Sequence, residues 1–556
     1  MPATNSSVAL ALWGELFRGR LSRRQLLARG AQLGLSAAAL GALARSPLVA
    51  AAEQGKPGGK LSIALRRDFE TLDPGVNSDA SDGIFLMAVF DRLVERTPDG
   101  KLYPGLAQSW SVSPDGLAWT FKLRQGVKFH DGTPFNAAAV KANFDHIADP
   151  KTKSEYAVFE LGPYAGTDIV DDYTVNVKMT RKYGPLLAGL ATYGMGMSSP
   201  AAIKQYGANL GQHPVGTGPY RFKEWVQKSH ATVVVNPDYN WASGREAHNG
   251  RAYLDEITFD IIPEDATRLA ALKSNQVQMA SNVPPADWKK LADGGKFTTE
   301  KILQEGYPPA GAFINVTKFP TDDLKVRQAL IYAVNPDEIN QVVYEGVAAP
   351  ANGIISTFAW AYDKDSAIYS YDPDKANALL DEAGWKMEGG VRKKAGKELQ
   401  LVYLTLTTVK DAAEVVQAQL QNVGVNVSIL AEDNPAQQAD AQAGKHNLVW
   451  TQWEGVDPAD LHKIFGSENI GTGWNFAHYS NPQVDKWFDE GEAETDQEKR
   501  RAIYNQIQQT IMQDAAFIPY NNVTNLWGFA AGLAGTNVID ELGSAPQIYD
   551  IYWNKP

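Results

Sequence analysis

The 556-residue chain contains no cysteine. That single absence excludes disulfides, thiolate-bound zinc, iron–sulfur clusters and thiol nucleophiles. It also excludes a lipid anchor of the kind built on a cysteine that follows a signal segment. Long apolar runs are missing as well: none reaches the ~18 uninterrupted residues that a membrane helix needs. Positive charge is scarce. Beyond residue 52 there are 46 basic against 63 acidic side chains, a net of −17, and no Lys/Arg stripe of the sort that contacts phosphates irrespective of base sequence, which argues against nucleic acid as a partner. No Gly-x-Ser-x-Gly elbow, no His-Glu-x-x-His and no phosphate-binding Gly-Lys-Ser/Thr occurs, so the common hydrolase and nucleotide-binding motifs are absent.

What is present is length and aromatic content. A chain of this size exceeds what one hydrophobic core supports, so two or more lobes are expected. The 14 Trp and 22 Tyr fill cores first and also line sites that grip flexible ligands. At the amino terminus, Leu21-Ser22-Arg23-Arg24-Gln25-Leu26-Leu27 resembles a twin-arginine export signal, followed by a weakly apolar run from Gly30 to Leu43. Small-residue cleavage sites stand at Ala42-Leu43-Ala44 and Ala50-Ala51-Ala52. The second adjoins a Pro/Gly/Lys linker, Glu53 to Lys60, so residues 1–52 are expected to be removed. The exported product is then a soluble periplasmic protein without a lipid anchor.

Periodicity places the elements. Leu61 to Leu65 alternates as a strand and leads through Leu72-Asp73-Pro74 into a polar loop; a helix is predicted from Ile84 to Glu95. Trp119, Phe121 and Leu123 alternate as a half-buried strand, with Val127 and Phe129 expected on its partner across Gln125-Gly126. Asn136 caps a helix whose Val140, Phe144 and Ile147 share one face. Further strands are read at Tyr220–Phe222, Thr232–Val235 and Ile257–Ile262, before a polar linker near Glu305 to Ala310. Beyond it, Asn335-Pro336 and Asp372-Pro373 start helices. A strand from Leu399, a helix Ala412–Asn422 and a strand Val425–Leu430 make a β-α-β unit, hence a parallel sheet. Asn447–Trp450 adds a strand, and Thr451–Asp457 becomes the loop at its carboxyl end, where open α/β sheets bind ligands.

Several segments, in order, resemble one known family. Leu102-Tyr103-Pro104-Gly105-Leu106-Ala107 through Ser109-Trp110, Trp119-Thr120-Phe121 and Phe129-His130-Asp131-Gly132-Thr133-Pro134-Phe135 look like the signature of the family 5 extracellular solute-binding proteins. Val215 to Tyr220, Val326 to Leu330, Tyr371 through Trp385 and Tyr479 through Asp485 are similar to that family in the same order. The family includes dipeptide, oligopeptide, nickel and opine binders. The resemblance implies an α/β chain with a two-lobed periplasmic-binding-protein-like fold and an additional inserted α+β subdomain. The implied division is a first lobe of residues 58–91, 214–308 and 523–556, an insert of 92–213 and a second lobe of 309–522. The crossings fall near Glu305–Ala310 and Pro519–Val523, and the lobes close as a hinge.

The implied function is capture of a small organic solute, a di- or oligopeptide first, and its delivery to an ABC permease in the inner membrane by a monomer without cofactor or metal. In peptide-binding members an acidic residue four positions before a Pro holds the ligand's amino terminus. Here the Pro is Pro458 and the acid is Glu454, with Asp457 the competing carboxylate. The resemblance implies that the backbone of Trp450, Thr451, Gln452 and Trp453 takes the ligand as an added strand. The loop Asn77-Ser78-Asp79-Ala80 faces it from the first lobe, with Asp79 either a second cation partner or merely solvated. Trp474 and Asn475 either close the pocket floor or belong to the core. His446, His462 and His478 match no metal-ligand spacing. The same scaffold serves opines, oligosaccharides, metal chelates and chemoreceptor ligands, and a secreted glycoside hydrolase is the rival from another class.

Overall fold

The computed structural model describes residues 55–537, 539–540 and 543–554. The expected export segment, 1–52, lies outside them. In strand Lys60–Leu65, Leu61 and Ile63 point into the core on either side of Ser62. It runs parallel to Glu256–Ile261, with Ile63 opposite Phe259, and parallel to Met279–Ala280 on its other side. These three belong to a seven-stranded sheet in the order 297–303, 524–530, 279–280, 60–65, 256–261, 230–235, 220–226. Three widely separated stretches of chain therefore build one sheet and share one core, in which Phe69, Phe85 and Phe259 meet edge to face or tilted.

Between the first and second of these stretches lies a four-stranded antiparallel sheet, ordered 107–112, 118–123, 174–179, 164–171. Trp119, Phe121 and Leu123 turn inward while Lys122 is exposed, the alternation a half-covered sheet requires. Helix Ala137–Ala148 packs over it, and Asn136 Oδ1 accepts the Ala139 amide at 3.1 Å. Two local expectations fail here. Val127 and Phe129 are buried but form no strand with 118–123, which takes its partners from Ala107–Val112 and Thr174–Met179 instead. The helix expected to reach Glu95 stops at Val89, and Phe90 is extended. Tertiary bonds claim the residues that follow: Asp91 accepts from Thr217 Oγ1, Tyr239 OH and Trp241 Nε1 at 2.8–3.0 Å, and Val94–Arg96 pairs with Leu102–Pro104.

The six-stranded sheet of residues 310–522 has the order 349–350, 517–522, 310–314, 448–451, 400–406, 426–432. The expected parallel unit is there, since 400–406 runs parallel to both 426–432 and 448–451. The sheet as a whole is mixed, because 310–314 is antiparallel to its two neighbours. Ala312 and Ile314 face one helix layer with Val326, Leu330, Val416 and Leu420, while Phe313 faces another with Tyr504, Ile507 and Ile511. Both faces are thus covered by helices. Asn335 caps Pro336–Val343 and Asp372 caps Pro373–Glu382, each with Pro at the first helical position.

The chain crosses between the two large sheets twice. One crossing joins Leu303 to Ala310, and the other consists of Val523 alone, between strands ending at Asn522 and starting at Thr524. They lie side by side, with the Gln304 amide donating to Val523 O at 3.0 Å. The sequence suggests a polar linker near Glu305 to Ala310. Glu305 and Tyr307 are instead fully buried, and Glu305 Oε2 pairs with Arg96 Nη2 at 2.7 Å. Burial pushes the Glu305 carboxyl up to about 7 in spite of that guanidinium.

Candidate ligand cleft

Strand Leu448–Thr451 is the central piece. On one side it pairs with Ala310–Ile314 as far as Thr451 opposite Gly311; on the other its pairing with Gln400–Leu406 ends at Val449 opposite Leu404. The chain continues extended along the first crossing. The Trp453 amide donates to Pro308 O at 3.0 Å, the Tyr307 amide donates to Trp453 O at 2.9 Å, and Glu454 bridges to Gly306. One edge of this segment is therefore satisfied by the protein. Toward the other edge, Trp450 O takes the Gln437 Nε2 amide at 3.3 Å, and the backbone N–H and C=O of Gln452 have no partner among the described residues. An open main-chain donor and acceptor at a strand's carboxyl end is what an added strand requires.

Glu454 sits beside that edge, half-buried. Burial, and next the like charge of Asp79, push its carboxyl up to about 7; the Gln304 amide and the Arg67 guanidinium act the other way. Asp79 belongs to the first lobe and Glu454 to the second, so two carboxylates from opposite walls share one electrostatic environment. The Tyr193 phenol registers both, and burial followed by their charges raises its pKa well above the ordinary value. Tyr193 is held flat against Tyr156, ring centroids 4.9 Å apart.

The loop Asn77–Ala80 is shaped by its own side chains. Asn77 is fully buried; its Nδ2 donates to Thr71 O at 2.8 Å and to Asp82 Oδ2 at 2.7 Å, and its Oδ1 accepts the Asp79 amide at 2.9 Å. The Ser78 amide and hydroxyl both donate to Glu70 Oε2. Asp79 caps the short turn Ala80–Asp82 by accepting from Ser81, and pairs with Arg67. Ala80 packs against the first-lobe core. Asn77 and Ser78 therefore position the loop, and Asp79 supplies its charge.

Three expected residues are differently employed. Asp457, the competing carboxylate, is gripped by both terminal nitrogens of Arg500 and accepts the Ala459 amide at 2.9 Å, so it is a buried structural anion. Asn475 is fully committed within its own loop, donating to Gly466 O and Tyr479 O and accepting the Tyr479 amide. The Trp450 carbonyl, expected to pair with a ligand, accepts from Gln437 Nε2 instead, and its side chain packs in the second-lobe core. Trp453 and Trp474 are only partly buried and meet edge to face at 5.1 Å. Each of the three histidines bonds to ordinary protein groups: His446 to Phe476 O, His478 to Ala441 O, His462 to Glu492. Sequence reasoning missed Arg67, Gln304 and Tyr193. Only the adjacent Arg66-Arg67 pair at the end of a strand offered any signal.

The walls are in contact. From the insert, Arg181 pairs with Glu492 at 2.7 Å, the Gly184 amide donates to Glu492 O at 2.6 Å, and Glu160 approaches Lys463 at 3.9 Å. A Cβ on Gly184 would stand 1.9 Å from Glu494 O, so only glycine permits this approach. Val456 of the second lobe joins the first-lobe core. The lobes are therefore in direct contact.

Comparison with known proteins gives concordant results. The model of the bacterial extracellular solute-binding proteins, family 5 middle, matches residues 101–472. The glutathione-binding protein GsiB of Pectobacterium atrosepticum is 34% identical over 467 residues, 82% of this chain and 87% of that one. Its namesake in Escherichia coli is 31% identical over 485 residues, 84% and 91% of the two chains. Among solved structures, the periplasmic binding protein DppA of Helicobacter pylori in complex with the peptide STSA superposes with a TM-score of 0.74 at 24% identity, covering 90% of this chain and 99% of that one.

Proposed function

Because the chain belongs to the family 5 bacterial extracellular solute-binding proteins, and is thus a substrate-binding protein of an ABC importer, we propose that its ligand is a short peptide, glutathione first among those to test. The observation that carries this reading is the combination at one strand end: the open Gln452 backbone beside the Glu454 carboxylate. Main-chain pairing grips any extended peptide without reading its side chains, and a carboxylate in a closed cleft takes its ammonium. The relatives named as glutathione-binding proteins support the same choice. Capture is by hinge closure of a monomer, without turnover.

Titration of the purified protein with reduced glutathione by calorimetry is expected to give saturable one-to-one binding, and mass spectrometry is expected to recover the ligand unaltered. No heat with glutathione or with a panel of di- and tripeptides removes the reading; chemically altered ligand moves the protein to the enzymes. The reading also includes export through the twin-arginine route into the periplasm. Substituting Arg23→Lys together with Arg24→Lys is expected to leave unprocessed protein in the cytoplasm on immunoblots of fractionated cells. Unchanged periplasmic accumulation would remove that part.

A further inference from the structure

Away from the ligand edge, the insert and the second lobe meet at two charged contacts, and only one of them is balanced. Arg181 of the insert pairs with Glu492 Oε2 at 2.7 Å, and Glu492 Oε1 meets His462 Nδ1 at 2.6 Å, so each oxygen of that carboxylate has a partner. The other contact is short of positive charge. Lys463 reaches across from helix Asp460–Phe465, its Nζ 5.0 Å from the centre of the Phe159 ring and 3.9 Å from Glu160 Oε1, both on the insert's short helix Ala157–Leu161. The same ammonium stands 2.8 Å from Asp460 Oδ1 on its own helix. Glu160 and Asp460 are both buried, so one ammonium serves two carboxylates from opposite sides, and its distance to Glu160 is too long for a hydrogen bond. The other neighbours do not make up the difference. Arg500 is taken by Asp457 and Arg96 by Glu305. Tyr183 and Tyr193 face Glu160 as neutral phenols, held so by burial first and by nearby carboxylates, Glu160 among them. Helix Leu186–Gly189 carries no titratable side chain, and on helix Ala137–Ala148 Lys141 pairs with Asp145 and His146 with Asp73. Burial therefore pushes the Glu160 carboxyl up to about 8, with Lys463 acting against it and Asp460 adding to it.

Resting on the hinge closure proposed above, we propose that this seam is a proton-binding site: as the lobes come together one proton is taken up from solvent between Glu160 and Asp460, and it is released when they part. Two buried carboxylates with one ammonium carry a net charge of −1, and a single proton brings the group to neutrality, which is what a water-poor contact favours. Apart, Glu160 regains water and ionises in the ordinary carboxylate range. Linkage then fixes the direction, because a contact that raises proton affinity is itself strengthened by protons. In contact Glu160 binds its proton below about pH 8, against an ordinary value of 4.5. The contact is thus favoured across that interval and loses its advantage as the pH rises through 8. None of these residues belongs to the ligand edge, so the proton acts on how firmly the lobes hold each other and leaves the ligand's own contacts alone.

The chain has no cysteine, so a pair of spin labels can be placed without a background. Val170→Cys on the insert and Gln483→Cys on the second lobe are both at exposed positions. Pulsed electron–electron resonance on the labelled full chain gives the ratio of short to long separations. Between pH 7 and pH 9, without peptide, that ratio is expected to fall about tenfold in the labelled parent, and by less than about threefold in Glu160→Gln, which is neutral throughout. Glu454 and His462 are present in both proteins, so their own titrations cancel in the comparison. Asp460→Asn leaves Lys463 to Glu160 alone and is expected to move the transition to lower pH; it decides the matter if thermal melts show that Glu160→Gln does not fold. A ratio that does not change with pH in the parent, or a fall that survives Glu160→Gln, overturns this inference, and hinge closure still stands if reduced glutathione shortens the separation. One separation at every pH, unmoved by glutathione, overturns both together.

Discussion

Glu454→Gln is expected to weaken peptide binding by about thirtyfold to several thousandfold. The substitution keeps the side chain's shape and removes only its charge, so it leaves the proposed ligand's ammonium unpaired, and truncating one member of such a pair costs about 2–5 kcal/mol. The expected effect has a pH signature. With its carboxyl pushed up to about 7 by burial and by Asp79, Glu454 is expected to hold a proton increasingly as the pH falls below 7 before ligand is added. An ammonium ligand favours the ionised form, so binding below pH 7 releases that proton and affinity falls as the solution is acidified, up to about tenfold per pH unit. Asp82, also pushed up to about 7, by burial and then by Asp79, titrates alongside. The decisive measurement is therefore the difference between wild type and variant, by calorimetry at pH 6 and pH 8. An affinity within about threefold of wild type, with the same pH profile, would place the residue at a solvated rim.

Asp457→Ala is expected to act on the fold. Its carboxylate and the Arg500 guanidinium are paired at two points and both buried, and Arg500 also donates from Nε to Gly491 O at 3.0 Å, tying helix Gln497–Gln513 to the preceding helix. Removing the anion strands a buried cation, which costs about 3–5 kcal/mol. The urea midpoint is expected to fall accordingly, while Glu454→Gln leaves it nearly unchanged. Asp457→Ala combined with Arg500→Met is expected to recover much of the loss, because the stranded charge goes too. A midpoint shift equivalent to less than about 1 kcal/mol for the single variant would contradict a structural role.

The two carboxylates are three residues apart in one loop, and their separate roles show what a sequence makes legible. Local chemistry reads well. Asn136, Asn335-Pro336 and Asp372-Pro373 each start a helix because a side-chain oxygen meets an amide two or three residues on, all within one short window. The α/β class and the parallel unit at 400–451 follow from periodicity for the same reason. Pairings between distant segments do not read. Trp119 to Leu123 is expected to pair across Gln125-Gly126, yet on the side away from Ala107–Val112 its neighbour is Thr174–Met179, about fifty residues on. Helix 83–89 ends where Asp91 is claimed by Thr217, Tyr239 and Trp241, which no local rule anticipates. The cleft divides the same way. Glu454 follows from a resemblance counted back from Pro458, whereas the employment of Asp457 depends on Arg500, and Arg67 and Gln304 come near Glu454 only through tertiary folding.

The crossings carry a kinetic consequence. Gln304, which leans on Glu454, is also the residue that bonds across to Val523, so the acidic end of the cleft lies at the pivot. Points near a pivot travel least when two bodies swing apart. On the proposed reading, the charged end of an arriving solute meets a receptor surface that is nearly assembled before closure.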